Sequence, residues 1–285
     1  MPKRVLLQLD CDPQPSTFDA VVAVDAGADV LLRHGGVTPE SVVPLVHGAM
    51  FTRGGADLAS TAIFVGGSDV AAAEAVAEAV RHTFFGPVRV GVFLDPSGAN
   101  TTAAAAVVAA GRHVEFSPQL HAVVLGGTGP VGQRVARLLA RKGVRVGLAS
   151  RTVERATTTS ARITAQVPGA AVTALGPGRE LAASLASADV LVAAGAAGVT
   201  LLDTAGREAA TTARVLIDLN AVPPAGIAGI GATDKARADG QAVLYGALGV
   251  GGTKMKIHRA GIGRIFAATD AFLDAEELLA IGESL

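Results

Sequence analysis

Short apolar runs alternate along this chain with longer segments in which apolar residues recur every three or four positions. The runs are typical of buried parallel strands, and the longer segments are typical of amphipathic helices. Because the two alternate from the first residues, the pattern predicts an α/β fold with parallel sheets. In the first half, strands are predicted at Val5–Asp10, Val30–Arg33, Ala62–Gly66 and Val88–Leu94.

Helices are predicted between these strands. We expect Thr38 to cap the second helix, with Pro39 at its first helical position, where a missing N–H is tolerated. Two further helices are predicted over Val70–Arg81 and Thr101–Gly111. The first helix is expected to begin at Ser16 and to have an apolar face composed of Phe18, Val21, Val22 and Ala26.

The second half continues the alternation, so two domains are expected. The segments Lys254–Ala268 and Ala275–Gly282 are predicted to be helices with no strand between them, and to pack back on the first domain. The predicted divisions are an N-terminal α/β substrate domain at 1–116, a Rossmann-type doubly wound domain at 117–252 and returning helices at 253–285. Strands of the second domain are predicted at His121–Leu125, Val144–Ala149, Ala171–Ala174, Val190–Ala194 and Val215–Leu219.

A glycine-rich motif stands between a strand and the helix Val131–Arg141. Its residues fit G-x-G-x-x-G, whose backbone N–H groups hold a dinucleotide pyrophosphate. The next strand ends at Ser150, Arg151 and Thr152, and no acid follows until Glu154. An NAD site usually has an acid there, whereas an arginine accommodates a 2′-phosphate, so NADP is predicted. The alternative is a helix cap beside a solvated arginine. The motif consists of Gly127, Thr128, Gly129, Pro130, Val131 and Gly132.

Two loops after predicted strands are candidates to line a ligand cleft between the domains. The polar loop Asp95–Thr102 has more polar groups than one helix cap needs, although capping by Asn100 or Thr101 is the alternative. The loop Ala193–Gly198 includes Ala194 and Gly195, where glycine permits close approach of backbone to a cofactor, or simply a tight turn.

Two later segments are candidates as well. The loop Asp218–Gly226 contains Asn220 and a proline pair, which indicates a shaped loop rather than a spacer. A glycine-rich segment precedes Lys254 and Lys256, which point to different faces of a helix, so at most one faces the cleft. A solvated lysine is the alternative, and the position after the glycines favours Lys254.

Composition excludes several classes of function. A net charge of −1 gives no electrostatic surface for nucleic acid or an anionic membrane. The single cysteine, Cys11, excludes an internal disulfide, and six dispersed histidines offer no metal-ligand spacing. No signal peptide and no apolar segment of about 20 residues is present, so a soluble, cytoplasmic protein without a metal is expected. Motifs of zinc peptidases, α/β hydrolases and P-loop proteins are missing.

Several motifs together resemble one family, the NADP-dependent methylene-tetrahydromethanopterin dehydrogenases of methylotrophic bacteria, some of which also accept methylene-tetrahydrofolate. The matching segments follow in order over nearly the whole chain: 16–19, 51–55, 60–67, 84–87, 97–102, 127–132, 220–224, 232–235, 246–249 and 258–260.

The resemblance implies hydride transfer from the methylene carbon of a reduced pterin to NADP⁺. It also implies a homo-oligomer, with a trimer as one option. Cofactor contacts are expected from the motif 127–132, from Ser150 and Arg151 at the 2′-phosphate, and from Ala194, Gly195 and Asn220. Pterin contacts are expected from Asp19, Ser97, Gly98, Asn100, Thr101, Thr102 and Lys254.

This chemistry needs no catalytic dyad. Loss of hydride from N–CH₂–N leaves a cation shared by two nitrogens, so no proton is removed and catalysis is mostly positioning. Lys254 is the catalytic candidate, but a charged ammonium beside the developing cation would oppose it. We therefore expect Lys254 to contact the pterin away from the reacting carbon or to be neutral.

Three alternatives share the predicted dinucleotide domain. A methylene-tetrahydrofolate dehydrogenase is one, although the Tyr-x-x-x-Lys pair of the folate-specific bifunctional enzymes is missing, since Tyr245 is the only tyrosine. A shikimate dehydrogenase-like oxidoreductase is the second. The third is an NADP sensor without turnover, which would leave the Asp95–Thr102 loop and Lys254 unexplained.

Overall fold

Two sheets organise the chain in the computed structural model, which describes residues 2–285. The chain divides into two compact units: unit 1 comprises residues up to Thr101 together with Met255–Leu285, and unit 2 is Thr102–Lys254. No helix among the described residues is both long and apolar enough to cross a membrane.

Strands and helices alternate as the sequence pattern predicts. The strands are β1 Val5–Asp10, β2 Val30–His34, β3 Thr61–Gly66, β4 Gly91–Leu94, β5 His121–Leu125, β6 Arg145–Ala149, β7 Val172–Leu175, β8 Val190–Ala193, β9 Val215–Asp218, β10 Lys235–Asp239, β11 Ala242–Tyr245 and β12 Phe272–Leu273. The α-helices are α1 Thr17–Asp25, α2 Val43–Phe51, α3 Val70–Thr83, α4 Ala99–Gly111, α5 Pro130–Arg141, α6 Val153–Gln166, α7 Arg179–Ala186, α8 Thr204–Ala209, α9 Ala247–Ile265 and α10 Ala275–Glu283.

Unit 1 is built on a five-stranded parallel sheet with the order β12-β4-β3-β1-β2. The strand order reverses at β1, whose two neighbours are β2 and β3, so their carboxyl ends meet at one edge. One core of the unit packs α2 and α3 on the sheet, and its buried members include Leu7, Leu9, Val46, Met50, Ile63, Val65, Val76 and Val80.

Two predicted helices of unit 1 are present, but the start of one and the buried face of the other differ from the prediction. Residues after Thr38 form a turn in which the Ser41 N–H donates to the Thr38 carbonyl at 3.1 Å, and α2 begins only at Val43, with Pro44 in its first turn. A local turn therefore takes the polar residues that predicted a helix cap. On α1, Ser16 is the N-cap as expected, but Phe18 and Val21 are more than half exposed, and the helix buries Ala20, Val22 and Ala23.

Two strand predictions in unit 1 are also corrected. β4 begins at Gly91, while Val88 forms a separate bridge with Phe85. The C-terminal stretch does contain a strand, because β12 pairs in parallel with β4 and extends the sheet. Two residues are too few to produce a strand pattern, so pairing to an open sheet edge decides this element.

Unit 2 is built on a seven-stranded sheet with the order β10-β11-β9-β8-β5-β6-β7, parallel except for β10. The chain moves from β5 outward through β6 and β7, then returns to β8 on the other side of β5. This reversal is the point where doubly wound folds bind ligands. The β10–β11 hairpin has no counterpart in the predicted strands, because every residue of Lys235–Asp239 is exposed and its only apolar residues are two alanines.

The divisions between the units lie inside helices. The first is between Thr101 and Thr102 in α4, earlier than the predicted 116/117, and the second is between Lys254 and Met255 in α9, close to the predicted 252/253. A division inside a continuous helix leaves no polar segment in the sequence to mark it. The first domain boundary was therefore predicted at the polar segment that follows α4.

Candidate functional site

The glycine motif follows β5 and turns sharply into α5. Gly126 has a φ of +69°, and a Cβ at Gly132 would lie 2.5 Å from the Gly126 carbonyl oxygen and 2.8 Å from the Gly127 Cα. Only glycine allows the first turn of α5 to come this close to the end of the strand. The backbone is thus arranged as a dinucleotide turn requires.

The N-terminus of α5 is open to an anion. Its N-cap, Gly129, has no side chain to accept from the first N–H groups, and Pro130 follows in the first turn. The N–H groups of a helix start carry partial positive charge, and a phosphate is their natural acceptor. This glycine turn and helix start fit a dinucleotide pyrophosphate.

Ser150 and Arg151 stand at the end of β6, beside the same turn. The hydroxyls of Thr128 and Ser150 are 3.3 Å apart, so the two loops meet. Arg151 is exposed, and Thr152, the N-cap of α6, makes no side-chain cap bond. Arg155, one turn further, is exposed as well and was not anticipated from the sequence. A ribose 2′-phosphate at this strand end would meet hydroxyls and positive charge.

Ala194 and Gly195 follow β8 and pack against the turn after β5. A Cβ on Gly126 would lie 2.8 Å from the Gly195 Cα, and one on Gly195 would lie 2.6 Å from Leu201 Cδ1. The Ala194 N–H donates to the Leu125 carbonyl at 2.9 Å. The structure therefore brings these two residues to the glycine motif, backbone against backbone.

Asn220 is held by its own loop after β9. Its side chain accepts from the Val222 N–H and donates to the Pro224 carbonyl, both at 3.0 Å. The buried Asp218 accepts from the N–H groups of Asn220 and Gly226 at 3.0 and 2.7 Å. The shaped loop was expected, and its side chains are engaged in shaping it. A cofactor contact of Asn220 stays a prediction.

The polar loop after β4 in unit 1 is organised by Asp95. This fully buried carboxylate accepts from the N–H groups of Asn100 and Thr101 at 2.9 and 3.0 Å and from the Thr101 hydroxyl at 2.6 Å. The capping alternative is therefore present, with Asp95 rather than Asn100 or Thr101 as the acceptor. Both residues are fully buried, and their contact with a substrate stays a prediction.

The neighbouring side chains tie this loop to the C-terminal helix. Asn100 Nδ2 donates to the Leu94 carbonyl and to Asp274 Oδ1, both at 2.7 Å, and Asp274 also forms the capping box of α10 with Glu277. Ser97 and Gly98 take left-handed conformations with φ of +53° and +62°, and Ser97 is exposed. A non-glycine residue held at positive φ marks a backbone that its surroundings determine.

Asp19 lies in the first turn of α1 and faces His258 of α9. Its Oδ1 is 4.0 Å from His258 Nε2, and the Asp19 side chain is 13% exposed while His258 is fully buried. The His258 ring stacks on Phe64 with centroids 5.7 Å apart and meets the edge of Phe93 at 5.2 Å. The Asp19 carboxylate thus faces an imidazole that rests on the rings of Phe64 and Phe93, which together are called the aromatic floor.

Lys254 and Thr102 are the remaining predicted substrate residues. Lys254 is half-buried on α9, whereas Lys256 is exposed, in agreement with the expectation that the two face different ways. Lys254 precedes His258 by four residues, so both lie on one face of α9. Thr102 is half-buried on α4. No cluster of His, Cys, Asp or Glu among residues 2–285 could hold a metal ion.

The carboxyl ends of β1 and β3 carry a second group of polar residues. The buried Asp10 accepts from the N–H groups of Asp12 and Ser16 at 3.0 and 2.9 Å, and Asp12 accepts from the Ser68 N–H and hydroxyl at 2.9 and 2.8 Å. Burial, with the carboxylates of Asp10, Asp12 and Asp69, raises the pKa of the Cys11 thiol to about 11. A raised pKa favours the protonated thiol at neutral pH, which disfavours Cys11 as a nucleophile.

Sequence reasoning missed His258, because it was one of six dispersed histidines. Its signal was local: it follows the favoured Lys254 by one helical turn, so it shares the face on which a ligand contact was expected.

A surface cavity of about 240 Å³ lined by Arg81, Arg89 and Phe272 lies beside the start of β4, at the amino edge of the sheet. It is remote from the strand ends that carry the candidate residues.

Comparison with protein families gives two matches. Residues 17–97 match the N-terminal model of methylene-tetrahydromethanopterin dehydrogenase, and residues 110–237 match the shikimate / quinate 5-dehydrogenase model. The bifunctional protein MdtA of Methylorubrum extorquens is 44% identical over 289 residues, which is the whole of both chains. The NAD(P)-dependent methylenetetrahydromethanopterin dehydrogenase of the same organism is 35% identical over 266 residues, 89% of each chain.

Solved structures agree on the fold. Quinate dehydrogenase from Corynebacterium glutamicum in complex with NAD covers the whole of both chains with a TM-score of 0.54 at 16% identity. Ornithine carbamoyltransferase from Pyrococcus furiosus has a TM-score of 0.55 at 11% identity, covering 94% of this chain and 84% of that one. At such identities the likeness describes a two-domain α/β architecture and not a reaction.

Proposed function

Because this chain belongs to the methylene-tetrahydromethanopterin dehydrogenase family, we propose that it oxidises methylene-tetrahydromethanopterin to the methenyl form with NADP⁺. The observation that carries the proposal is the match of residues 17–97 to the N-terminal model of that family, in a chain whose second unit has a dinucleotide turn. The first unit would supply substrate recognition and the second would hold the cofactor.

The cofactor is assigned to unit 2. The turn 126–129 and the start of α5 would hold the pyrophosphate, Ser150 and Arg151 the 2′-phosphate, and Ala194 with Gly195 the nicotinamide half. Bound NADP⁺ accepts the hydride. A relative is described as NAD(P)-dependent. The preference of this chain for NADP⁺ rests on Arg151 and on the lack of an acid at the end of β6.

The substrate is assigned to unit 1, where Asp19 faces His258 of α9. Lys254, the last residue of unit 2, precedes His258 by one turn on the same helix. The reaction needs binding, orientation and an electrostatic environment that accepts a positive charge on the pterin. A carboxylate suits that task, and an ammonium opposes it. On this proposal Asp19 would lie near the charge that develops, and Lys254 would contact a part of the pterin remote from the reacting carbon.

The experiment follows nicotinamide reduction by the purified protein at 340 nm. Methylene-tetrahydromethanopterin and methylene-tetrahydrofolate are each offered with NADP⁺ and with NAD⁺. We expect the highest kcat/KM with the methanopterin and NADP⁺. Lack of turnover on both pterins, with NADP⁺ still bound, would contradict the proposal.

A second candidate, the oxidation of a shikimate-like alcohol, is favoured by the match of residues 110–237. That match covers the dinucleotide domain only, whereas residues 17–97 match the methylene-tetrahydromethanopterin dehydrogenase model. Adding shikimate and quinate to the same assay separates the two candidates, and turnover on either of these would favour the second.

A further inference from the structure

We propose that His258 is a positioning residue that fixes the Asp19 carboxylate for the cationic form of the pterin. This inference rests on the proposed function and adds to it the groups that favour formation of the cation. The observation behind it is the juxtaposition of a fully buried imidazole, an aromatic floor and a largely buried carboxylate.

The imidazole is buried and packed against three aromatic rings. Its plane is within 8° of the Phe64 ring at a centroid distance of 5.7 Å, and the Phe93 ring meets it at 68° and 5.2 Å. Phe18, beside Asp19 on α1, has its ring 6.3 Å from the same imidazole. Aromatic rings in such stacked and edge-on contacts have defined orientations, so Nε2 is held in one place.

The carboxylate is fixed from its own side as well. Ser16 caps α1 by accepting from the Asp19 N–H at 3.2 Å, and Asp10 accepts from the Ser16 N–H at 2.9 Å. Asp19 therefore lies in the first turn of a capped helix, at the end that carries partial positive charge. The distance of 4.0 Å between Asp19 Oδ1 and His258 Nε2 is longer than a hydrogen bond. The interaction between the carboxylate and the imidazole is therefore electrostatic.

The substrate gains a positive charge in the reaction, and Asp19, positioned by His258, would stabilise that charge. The methylene pterin is uncharged at the reacting carbon; when its C–H bond breaks and both electrons leave with the hydrogen, the carbon is left in an N–CH–N cation. A fixed carboxylate stabilises that cation more than the neutral substrate. A carboxylate free to rotate into water would lose part of this advantage, and His258 is the group that prevents it.

Three variants test this assignment on the full chain. Asp19→Asn removes the charge, His258→Phe keeps an aromatic ring but removes Nε2, and His258→Gln keeps an N–H donor. We expect His258→Phe to lower kcat at least about tenfold with KM for the methylene pterin changed less than about threefold, since the interaction is made mainly with the cation. His258→Gln is expected to recover part of that loss.

Equilibrium binding supplies a measurement independent of turnover. The ratio of Kd values for the methenyl cation and the methylene pterin, without cofactor, is expected to rise at least about tenfold in Asp19→Asn and in His258→Phe, because only one ligand is charged. In the double variant the ratio should match that of Asp19→Asn, since residues that act through one group are not additive. Val76→Ala is the control: it removes a buried side chain of α3 from the core of the same unit, away from the aromatic rings around His258, so the melting temperature should fall while the ratio stays unchanged.

The outcomes separate the inference from the proposed function. If the parent protein turns over the pterin and His258→Phe leaves both kcat and the Kd ratio unchanged, the inference is overturned and the proposed function stands. Losses that add in the double variant also overturn it, since His258 would then act independently of Asp19. A parent protein that neither binds nor turns over either pterin overturns both.

Discussion

At the scale of single residues, burial separates the polar groups that build loops from those available for chemistry. Asp95 and Asp218 end strands and are buried, and each accepts bonds from N–H groups of its own loop. A carboxylate at a strand end is therefore no sign of a ligand by itself. Arg151 is exposed and Asp19 faces a buried imidazole, so these two stay candidates for the predicted chemistry.

Arg151→Ala should weaken NADP⁺ selectively. A charge-assisted hydrogen bond contributes about 1.5–3 kcal/mol, so KM for NADP⁺ should rise about tenfold to a hundredfold while KM for NAD⁺ stays unchanged. Arg214→Ala is the matched control, because that arginine is also half-exposed in unit 2 and pairs with Asp189 at 3.1 Å. Equal losses with NAD⁺ would refute the 2′-phosphate assignment.

The Cys11 thiol should resist alkylation because its pKa is raised to about 11. A raised pKa keeps the proton on sulfur, so the thiolate that reacts is below about 1% at pH 8.5, where about half of ordinary cysteines are ionised. The measurement is the rate of reaction with iodoacetamide from pH 7 to 10. The rate should rise without a plateau, whereas the unfolded protein should level off above about pH 9. A plateau below pH 10 in the folded protein would contradict the assignment.

At the scale of elements, glycine decides how closely a helix approaches the strand before it. α5 leaves the end of β5 at a distance that a Cβ on Gly132 would not allow, and β5 and β8 continue into loops that meet at Gly126 and Gly195. These close approaches shape the backbone into the turn that is predicted to hold the pyrophosphate. The shape of this turn therefore depends on glycines, which have no side chain, as much as on the side chains around it.

Gly132→Ala should damage stability and cofactor binding together. Its Cβ would stand 2.5 Å from a backbone carbonyl, which cannot yield as a flexible side chain can. We expect unfolding to become easier by about 1–3 kcal/mol, and Kd for NADP⁺ to rise at least about tenfold as α5 is displaced. Melting temperature and calorimetric titration measure the two effects.

Gly263→Ala is the control for that variant. It makes the same substitution inside α9, where a Cβ meets nothing within 4 Å. Since alanine favours a helix over glycine by up to about 1 kcal/mol, the control should leave NADP⁺ binding unchanged and raise the melting temperature slightly. Unchanged binding in Gly132→Ala would show that the close approach is not needed.

At the scale of the whole molecule, the two units differ in how the chain builds them. Unit 2 is continuous over Thr102–Lys254, whereas unit 1 combines the first 101 residues with Met255–Leu285. The returning segment supplies β12 at the edge of the sheet and His258 against Phe64 and Phe93. Unit 1 is thus incomplete until the last residues are present.

Separate fragments should behave accordingly. Residues 102–254 are expected to fold and to bind NADP⁺, because the seven-stranded sheet and its glycine turn are complete within them. Residues 1–101 are expected to show no cooperative thermal transition by circular dichroism, since the rings of Phe64 and Phe93 would be uncovered. Cooperative unfolding of 1–101 alone would contradict this dependence.

Predictability from sequence followed the length and amphipathic pattern of each element. The long helices and buried strands were confirmed, and the glycine motif lies where its spacing indicated. α2 begins late because a local turn occupies its predicted start, and the two-residue β12 forms because it pairs with a distant sheet edge. Pattern alone cannot weigh such competitors, because they lie elsewhere in the fold.

The sequence by itself determined the α/β class, the dinucleotide turn and the family, because periodicity, glycine positions and motif order are local and need no partner. Only the tertiary structure decided that Asp95 and Asn100 serve a helix start, and that Asp19 faces His258, whose ring stacks on Phe64. Burial and pairing are properties of a folded chain, and they assign each polar residue its role.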